Sequence, residues 1–167
     1  MEDKLTQGNY DILICGGGMI GLATALGLAK IGLKIAIIEA RKPLPFSSEQ
    51  DYDLRVSALS PKTIDTITEL GAWEPVERMR LCHIEEMRVW ENPTYGDVTF
   101  TAHSIGRSDM GAIVENRVVQ LALWEIAAAN ENITFFCPTE CAGFILEPGQ
   151  AIVHLNDGAS LSGRLLI

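Results

Sequence analysis

The sequence predicts an α/β fold built on a parallel sheet, and three observations carry that expectation. An unbroken apolar run, Ile12-Leu13-Ile14-Cys15, reads as a parallel strand covered on both faces. It leads straight into Gly16-Gly17-Gly18-Met19-Ile20-Gly21, a GxGxxG pattern carried by Gly16, Gly18 and Gly21. A helical stretch rich in Ala and Leu then runs from about Met19 to Lys30, with Gly32 placed to end it as a left-handed residue. Ile35-Ala36-Ile37-Ile38 follows as a second buried strand, closed by Glu39.

Each part has a physical reason. Gly16 permits the tight turn out of the strand, Gly18 lets a diphosphate approach the backbone, and Gly21 lets helix pack close to strand. The helix start offers unpaired N–H groups and about half a positive charge. Glu39 lies 18 residues beyond Gly21. That is close to the roughly 20 at which a carboxylate reaches the adenosine ribose hydroxyls. A glycine loop alone is weak, but one that follows a strand, opens a helix and is answered by an acid points to dinucleotide binding. A carboxylate there repels a 2′-phosphate, which disfavours NADP and leaves FAD and NAD.

Bulk properties exclude other classes. A chain of 167 residues suffices for one ordinary domain with a real core. Thirteen Lys and Arg against 22 Asp and Glu give a net charge of −9. No cluster of cations stands out, so nucleic-acid binding and adsorption to anionic lipid are not expected. No apolar run approaches the ~20 residues that span a bilayer, and the polar Met1–Asn9, with Glu2 and Asp3, is no signal peptide. Cys15, Cys82, Cys137 and Cys141 are scattered and read as reduced thiols of a cytoplasmic protein. Cys137 and Cys141 flank Pro138 without a matching Cys or His pair, so no metal is expected, and Cys82-His83 reads as a packing pair. His83, His103 and His154 sit in no catalytic constellation, and no catalytic acid, base or nucleophile is assigned.

Further along, Arg41–Asp53 is a polar linker leading to Leu54-Arg55-Val56-Ser57-Ala58-Leu59. Ser60 caps a helix with Pro61 in its first position, Ile64, Ile67 and Leu70 on one face, and Gly71 to stop it. Met87–Trp90 and Val98–Phe100 read as two short strands of a separate sheet, joined by a loop holding Asn92, Pro93 and Gly96. Ile113–Asn116 leads into a helix to about Ala129, and Ile133–Phe136 is another strand suited to the parallel sheet. Gly143–Leu146 and Ala151–Leu155 read as antiparallel strands flanking Glu147-Pro148-Gly149-Gln150, and Asn156-Asp157-Gly158 is a second tight turn. Arg164–Ile167 begins one more apolar strand. A run that still wants burial at the chain end predicts a C-terminally truncated protein.

Four motifs in order make a resemblance specific: Ile14–Leu22 around the glycine loop; Asp53–Ser60; Leu70-Gly71-Ala72-Trp73; and Ile113-Val114-Glu115-Asn116 with Ala122-Leu123-Trp124. Together they resemble the ubiquinone-biosynthesis aromatic hydroxylases, FAD-dependent monooxygenases of the p-hydroxybenzoate hydroxylase fold, and most of all the 2-octaprenylphenol hydroxylase branch. The resemblance implies a Rossmann-like FAD-binding domain of the glutathione-reductase type, a parallel sheet with an antiparallel meander, at residues 1–80 and 107–167. Residues 81–106 would start a β-sheet substrate domain.

It also implies roles. The backbone of Gly16, Gly18, Met19, Ile20 and Gly21 would take the FAD pyrophosphate, and Glu39, with Ala40 beside it, the adenosine ribose. Arg41 would lie near the adenine, Arg55 would face the isoalloxazine and ribityl part, and the loop entering the helix at Asn116 would line the ribityl chain. Arg41 reads equally as a solvated charge and Asn116 equally as a helix cap. Arg55, between Leu54 and Val56, reads as a charge with a buried partner. The implied reaction takes hydride from NADH or NADPH and places one oxygen of O₂ on the ring of a polyprenyl phenol or quinol. That substrate implies peripheral contact with the inner membrane, or a multi-enzyme complex, through a part beyond this stretch. The family's second flavin motif, Gly-Ala-Asp-Gly, would fall just past Ile167. The residues alone leave two other readings open, an NAD-linked dehydrogenase domain and a non-catalytic scaffold.

Overall fold

A computed structural model describes residues 6–91 and 96–167 of the chain. They divide into two units, the first holding the residues up to Pro45 together with Gln120–Ile167, the second Phe46–Val119.

The first unit is built on one six-stranded sheet. Its strands are β1 (Thr6–Cys15), β2 (Ile35–Ile38), β8 (Ile133–Phe136), β9 (Cys141–Glu147), β10 (Gln150–Leu155) and β11 (Ser160–Leu166), in the order β8-β2-β1-β11-β10-β9. β8, β2, β1 and β11 run parallel, while β11, β10 and β9 form an antiparallel meander. Successive side chains of a strand point to opposite faces. Leu13 packs with Ala36, Ile38, Val153, Leu155 and Leu161, so the meander covers its face. Ile14 points the other way, its Cγ2 only 3.3 Å from where a Cβ on Gly21 would lie. There helix α1 (Met19–Ala29) covers the sheet, burying Leu22, Ala25, Leu26 and Ala29. Covering on both sides is why the Ile12–Ile14 part of β1 and the whole of β2 are continuously apolar rather than alternating.

β1 is longer than its apolar run because Thr6–Asp11 is held by the backbone ladder to β11, where polarity of side chains is no obstacle. β11 likewise begins at Ser160, well ahead of the apolar Leu165 and Leu166. Gly163 belongs in that strand because a Cβ there would lie 2.7 Å from Leu13 Cγ.

In the second unit, β3 (Val56–Leu59), β7 (Ala112–Glu115) and β4 (Cys82–His83) form an antiparallel sheet in the order β3-β7-β4. Helix α2 (Pro61–Glu69) starts as its sequence demands: Ser60 Oγ accepts from Thr63 N–H at 3.2 Å, Pro61 takes the first position, and Gly71 ends the turn at φ +80°. Helix α3 (Trp73–Met79) is not foreseen by the sequence reading. It is short and carries Pro75, which reads as a breaker but is tolerated in a first turn. The Cys82-His83 expectation needs correction as well. Both side chains are exposed, and the pair serves through backbone pairing with Ile113 and Ala112.

β5 (Glu86–Trp90) and β6 (Asp97–Thr101) form the expected separate hairpin, in register from Glu86↔Thr101 to Trp90↔Asp97, with Arg88 paired to Asp97. Asn92 and Pro93 of its loop lie outside the described residues. Helix α4 (Asn116–Ala128) begins in the second unit and continues into the first.

Candidate dinucleotide-binding site

The three glycines of the motif meet three different physical demands. Gly16 sits at φ +120°, a conformation L side chains rarely adopt, and its N–H donates to Ile38 O at 2.8 Å. A Cβ on Gly21 would lie 2.1 Å from Gly16 O, so only glycine lets the helix stand this close to the turn. Gly18 has ordinary dihedrals, φ −77° and ψ 178°, and nothing within 4 Å of where its Cβ would be. Its glycine is required neither by strain nor by crowding. What its missing side chain leaves is open approach to the backbone at the head of α1.

That head is poised for an anion. Leu22 N–H donates to Gly18 O at 3.0 Å, and the amides ahead of it, Met19, Ile20 and Gly21, have no helical carbonyl to meet. No acidic residue occupies the first turn, and Gly18 caps it without a side chain. Ile20 is 79% exposed, an apolar side chain held out at the same end.

Glu39 is turned toward this bend. Its Oε2 accepts from Gly17 N–H at 2.6 Å and its Oε1 from Arg41 N–H at 2.8 Å. Each carboxylate oxygen can accept a further hydrogen bond, so hydroxyl donors still find acceptors there. Ala40 is half-buried beside it and the Arg41 side chain is exposed. Gly17, absent from the sequence-based set, is the buried residue of the loop, and Gln120 of α4 donates from Nε2 to its carbonyl at 2.7 Å. Trp124, one turn on, stacks against Phe135 with ring centroids 4.3 Å apart. No spacing in the sequence announces Gln120, because a glutamine on a helix face reads as solvated.

Cys15, immediately before the loop, shares the Leu13 face of β1 and meets Cys141 at the start of β9. Exposed on one side and crowded on the other, its thiol is pushed up to about 12 by burial, with Cys141 adding to the effect.

In the second unit, Asn116 Oδ1 accepts from Ser57 Oγ at 2.6 Å, and Asn116 N–H donates to Arg55 O at 3.0 Å. Arg55 itself is exposed and Leu54 is 99% exposed, so the apolar run around Arg55 is not a buried one. The buried ion pair of this unit is a different one. Arg80 donates from Nε to Glu115 Oε2 at 2.8 Å and from an Nη to Oε1 at 3.2 Å. Its guanidinium lies 4.1 Å from the Tyr52 ring centroid and 5.4 Å from that of Phe46, and an Nη donates to Gln50 O at 3.2 Å. Asp53 N–H completes the set at 2.6 Å from Glu115 Oε1. Burial raises the Glu115 carboxyl, but the hydrogen bonds from Arg80 and from Asp53 N–H outweigh it and hold the group below the usual carboxylate range. Arg80 thereby pins the polar linker to its sheet. Among the described residues no cluster of His, Cys, Asp and Glu could hold a metal ion, and no helix is long and apolar enough to cross a membrane.

Comparison with known proteins agrees with this geometry. The sequence profile of the FAD dependent oxidoreductase family matches residues 11–49, the stretch from β1 through Glu39 into the linker. The structure of p-nitrophenol 4-monooxygenase PnpA from Pseudomonas putida DLL-E4 superposes with a TM-score of 0.73 at 15% identity, covering 96% of this chain and 40% of that one. The fold is therefore the Rossmann-like nucleotide-binding fold of FAD-dependent monooxygenases. Over 98% of its length the chain is 32% identical to 3-demethoxyubiquinol 3-hydroxylase of Escherichia coli (strain K12), covering 41% of that protein. Over 95% of its length it is 31% identical to mouse ubiquinone biosynthesis monooxygenase COQ6, covering 36%. The chain is similar over nearly its whole length to these ubiquinone-biosynthesis enzymes, and it spans about two-fifths of theirs.

Proposed function

We propose that this chain provides the FAD-binding part of a monooxygenase that hydroxylates the aromatic ring of a ubiquinone precursor. The observation that carries the reading is the bend at Gly16–Gly21: an open backbone at Gly18, first-turn amides with no helical carbonyl to meet, and the Glu39 carboxylate at the end of β2 bonded to the same loop. In this reading the amides of Gly18, Met19, Ile20 and Gly21 hold the diphosphate. Glu39 accepts from the adenosine ribose hydroxyls, Ala40 and Arg41 flank the adenine, and Gly16 shapes the turn. Arg55 and Asn116 face the ribityl and ring part. FAD, reduced by NADH or NADPH, supplies the oxygen-activating chemistry, and the chain's own residues bind and orient it. The first unit is then the core of the FAD-binding domain, and residues 81–106 begin the substrate-facing sheet. A polyprenylated quinol or phenol is the substrate class, which brings the enzyme to a membrane surface or to partner enzymes.

The test is direct. Titrate the chain with FAD, FMN and NADH, following flavin fluorescence and equilibrium dialysis. FAD binding tighter than FMN is the expected result. NADH binding without flavin affinity would instead favour a dehydrogenase domain, and no binding of any of the three would leave a scaffold.

A further inference from the structure

The peptide joining Gly17 to Gly18 is free to turn on steric grounds, since neither flanking residue has a Cβ to oppose its rotation. Its orientation matters, because a trans peptide points its carbonyl and its N–H in opposite directions. Turned one way, Gly18 N–H faces the open side above α1; turned the other, the carbonyl oxygen takes that place and repels an anion.

The structure shows what selects between them. Gln120 Nε2 donates to Gly17 O at 2.7 Å, drawing the carbonyl toward α4. Gly17 N–H is held at the same time by Glu39 Oε2 at 2.6 Å. The residue between these two bonds is buried, and the one after it is exposed. A Cβ on Gly17 would lie 2.9 Å from the Trp124 ring and 3.1 Å from Glu39 Cγ, so the loop is seated against α4 with no slack. Gln120 and Trp124 stand one helical turn apart and present the same face to it.

We infer that Gln120 is a positioning residue for diphosphate binding: by holding Gly17 O it aims Gly18 N–H at the phosphates. The inference rests on the proposed FAD site and adds to it a residue on a helix, 103 positions from Gly17 in sequence, that touches no ligand itself. Glu39 could not do this alone. It fixes the peptide before Gly17 and leaves the one after it free to turn.

The test uses Gln120→Leu, which removes the donor, and Gln120→Glu, which keeps the length and sets a carboxylate against the carbonyl. Affinities for ADP and adenosine are measured on each, with the Gly18 amide ¹H–¹⁵N resonance and its hydrogen exchange recorded without ligand. Both variants should bind ADP about tenfold more weakly, the worth of one hydrogen bond to a charged group, with adenosine unchanged and the Gly18 resonance shifted. Equal losses for ADP and adenosine, or an unmoved Gly18 resonance in both variants, would overturn the inference. If the unaltered chain binds neither FAD nor ADP, the proposed function fails. The ligand-free Gly18 measurement then still decides whether Gln120 sets that peptide.

Discussion

Gly21 and Gly18 belong to one motif, yet replacing them should have opposite consequences. A Cβ on Gly21 would sit 2.1 Å from Gly16 O. Ordinary contact begins near 3.5 Å, so the start of α1 must move by about 1.4 Å for Gly21→Ala to be accommodated. Neither partner yields easily. The obstacle is a backbone carbonyl that cannot rotate away like a side chain, and Gly16 is itself pinned by its bond to Ile38 O at 2.8 Å. Overpacking of this kind costs about 1–3 kcal/mol, and the rigid partner puts this case at the upper end. For a chain of this size about 3 kcal/mol lowers the melting temperature by roughly 6–12 °C. Gly18→Val is the counterpart. With nothing within 4 Å and φ at −77°, the valine meets neither clash nor strain. Stability should stay within about 1 kcal/mol, while FAD affinity falls at least tenfold because the branched side chain fills the diphosphate's approach. Circular-dichroism melts and FAD titrations on both variants check this. A Gly21→Ala protein melting with the parent, or a Gly18→Val protein as destabilised as Gly21→Ala, would refute the division of labour.

Glu39→Ala should weaken FAD by about tenfold or more and FMN by less, since only FAD carries an adenosine ribose; parallel titrations with equal losses would remove the ribose assignment. Glu115→Gln should cost about 3 kcal/mol at pH 7 by leaving the Arg80 charge without its counterion. Because the folded Glu115 carboxyl lies below its unfolded value, its contribution is complete above about pH 5 and disappears as pH falls through the folded value. The gap between parent and variant should therefore close in acid, and urea midpoints showing a constant gap from pH 7 down to acid would contradict it. With burial pushing its thiol up to about 12, Cys15 should be alkylated at pH 8 more slowly than an ordinary thiol, the smaller thiolate fraction outweighing the higher intrinsic nucleophilicity. Mass-spectrometric mapping that finds Cys15 among the first cysteines modified would count against that.

The first strand, glycine bend, helix and second strand were legible in the chain because their causes are local. A buried parallel strand must be continuously apolar, a sharp turn needs Gly16 at positive φ, and a helix ending at Gly32 follows from its own backbone. The same holds for Ser60 and Pro61 at the head of α2. What escaped the sequence depended on partners distant along it. Whether an apolar neighbourhood is buried is decided by what folds over it: Leu54 beside Arg55 lies in the open, whereas Glu115, in an unremarkable acid-containing stretch, is buried because Arg80 reaches it from 35 positions away. β4 and the polar half of β1 exist through ladders to β7 and β11 that no local periodicity records. So too the aim of the loop's amides: the three motif glycines make the bend possible, but only α4, brought alongside by the sheet, can hold Gly17 O with Gln120. Backbone conformation follows from short-range sterics, which a sequence carries openly. Orientation of a freely turning peptide follows from a hydrogen bond across space, which exists only once the chain has folded.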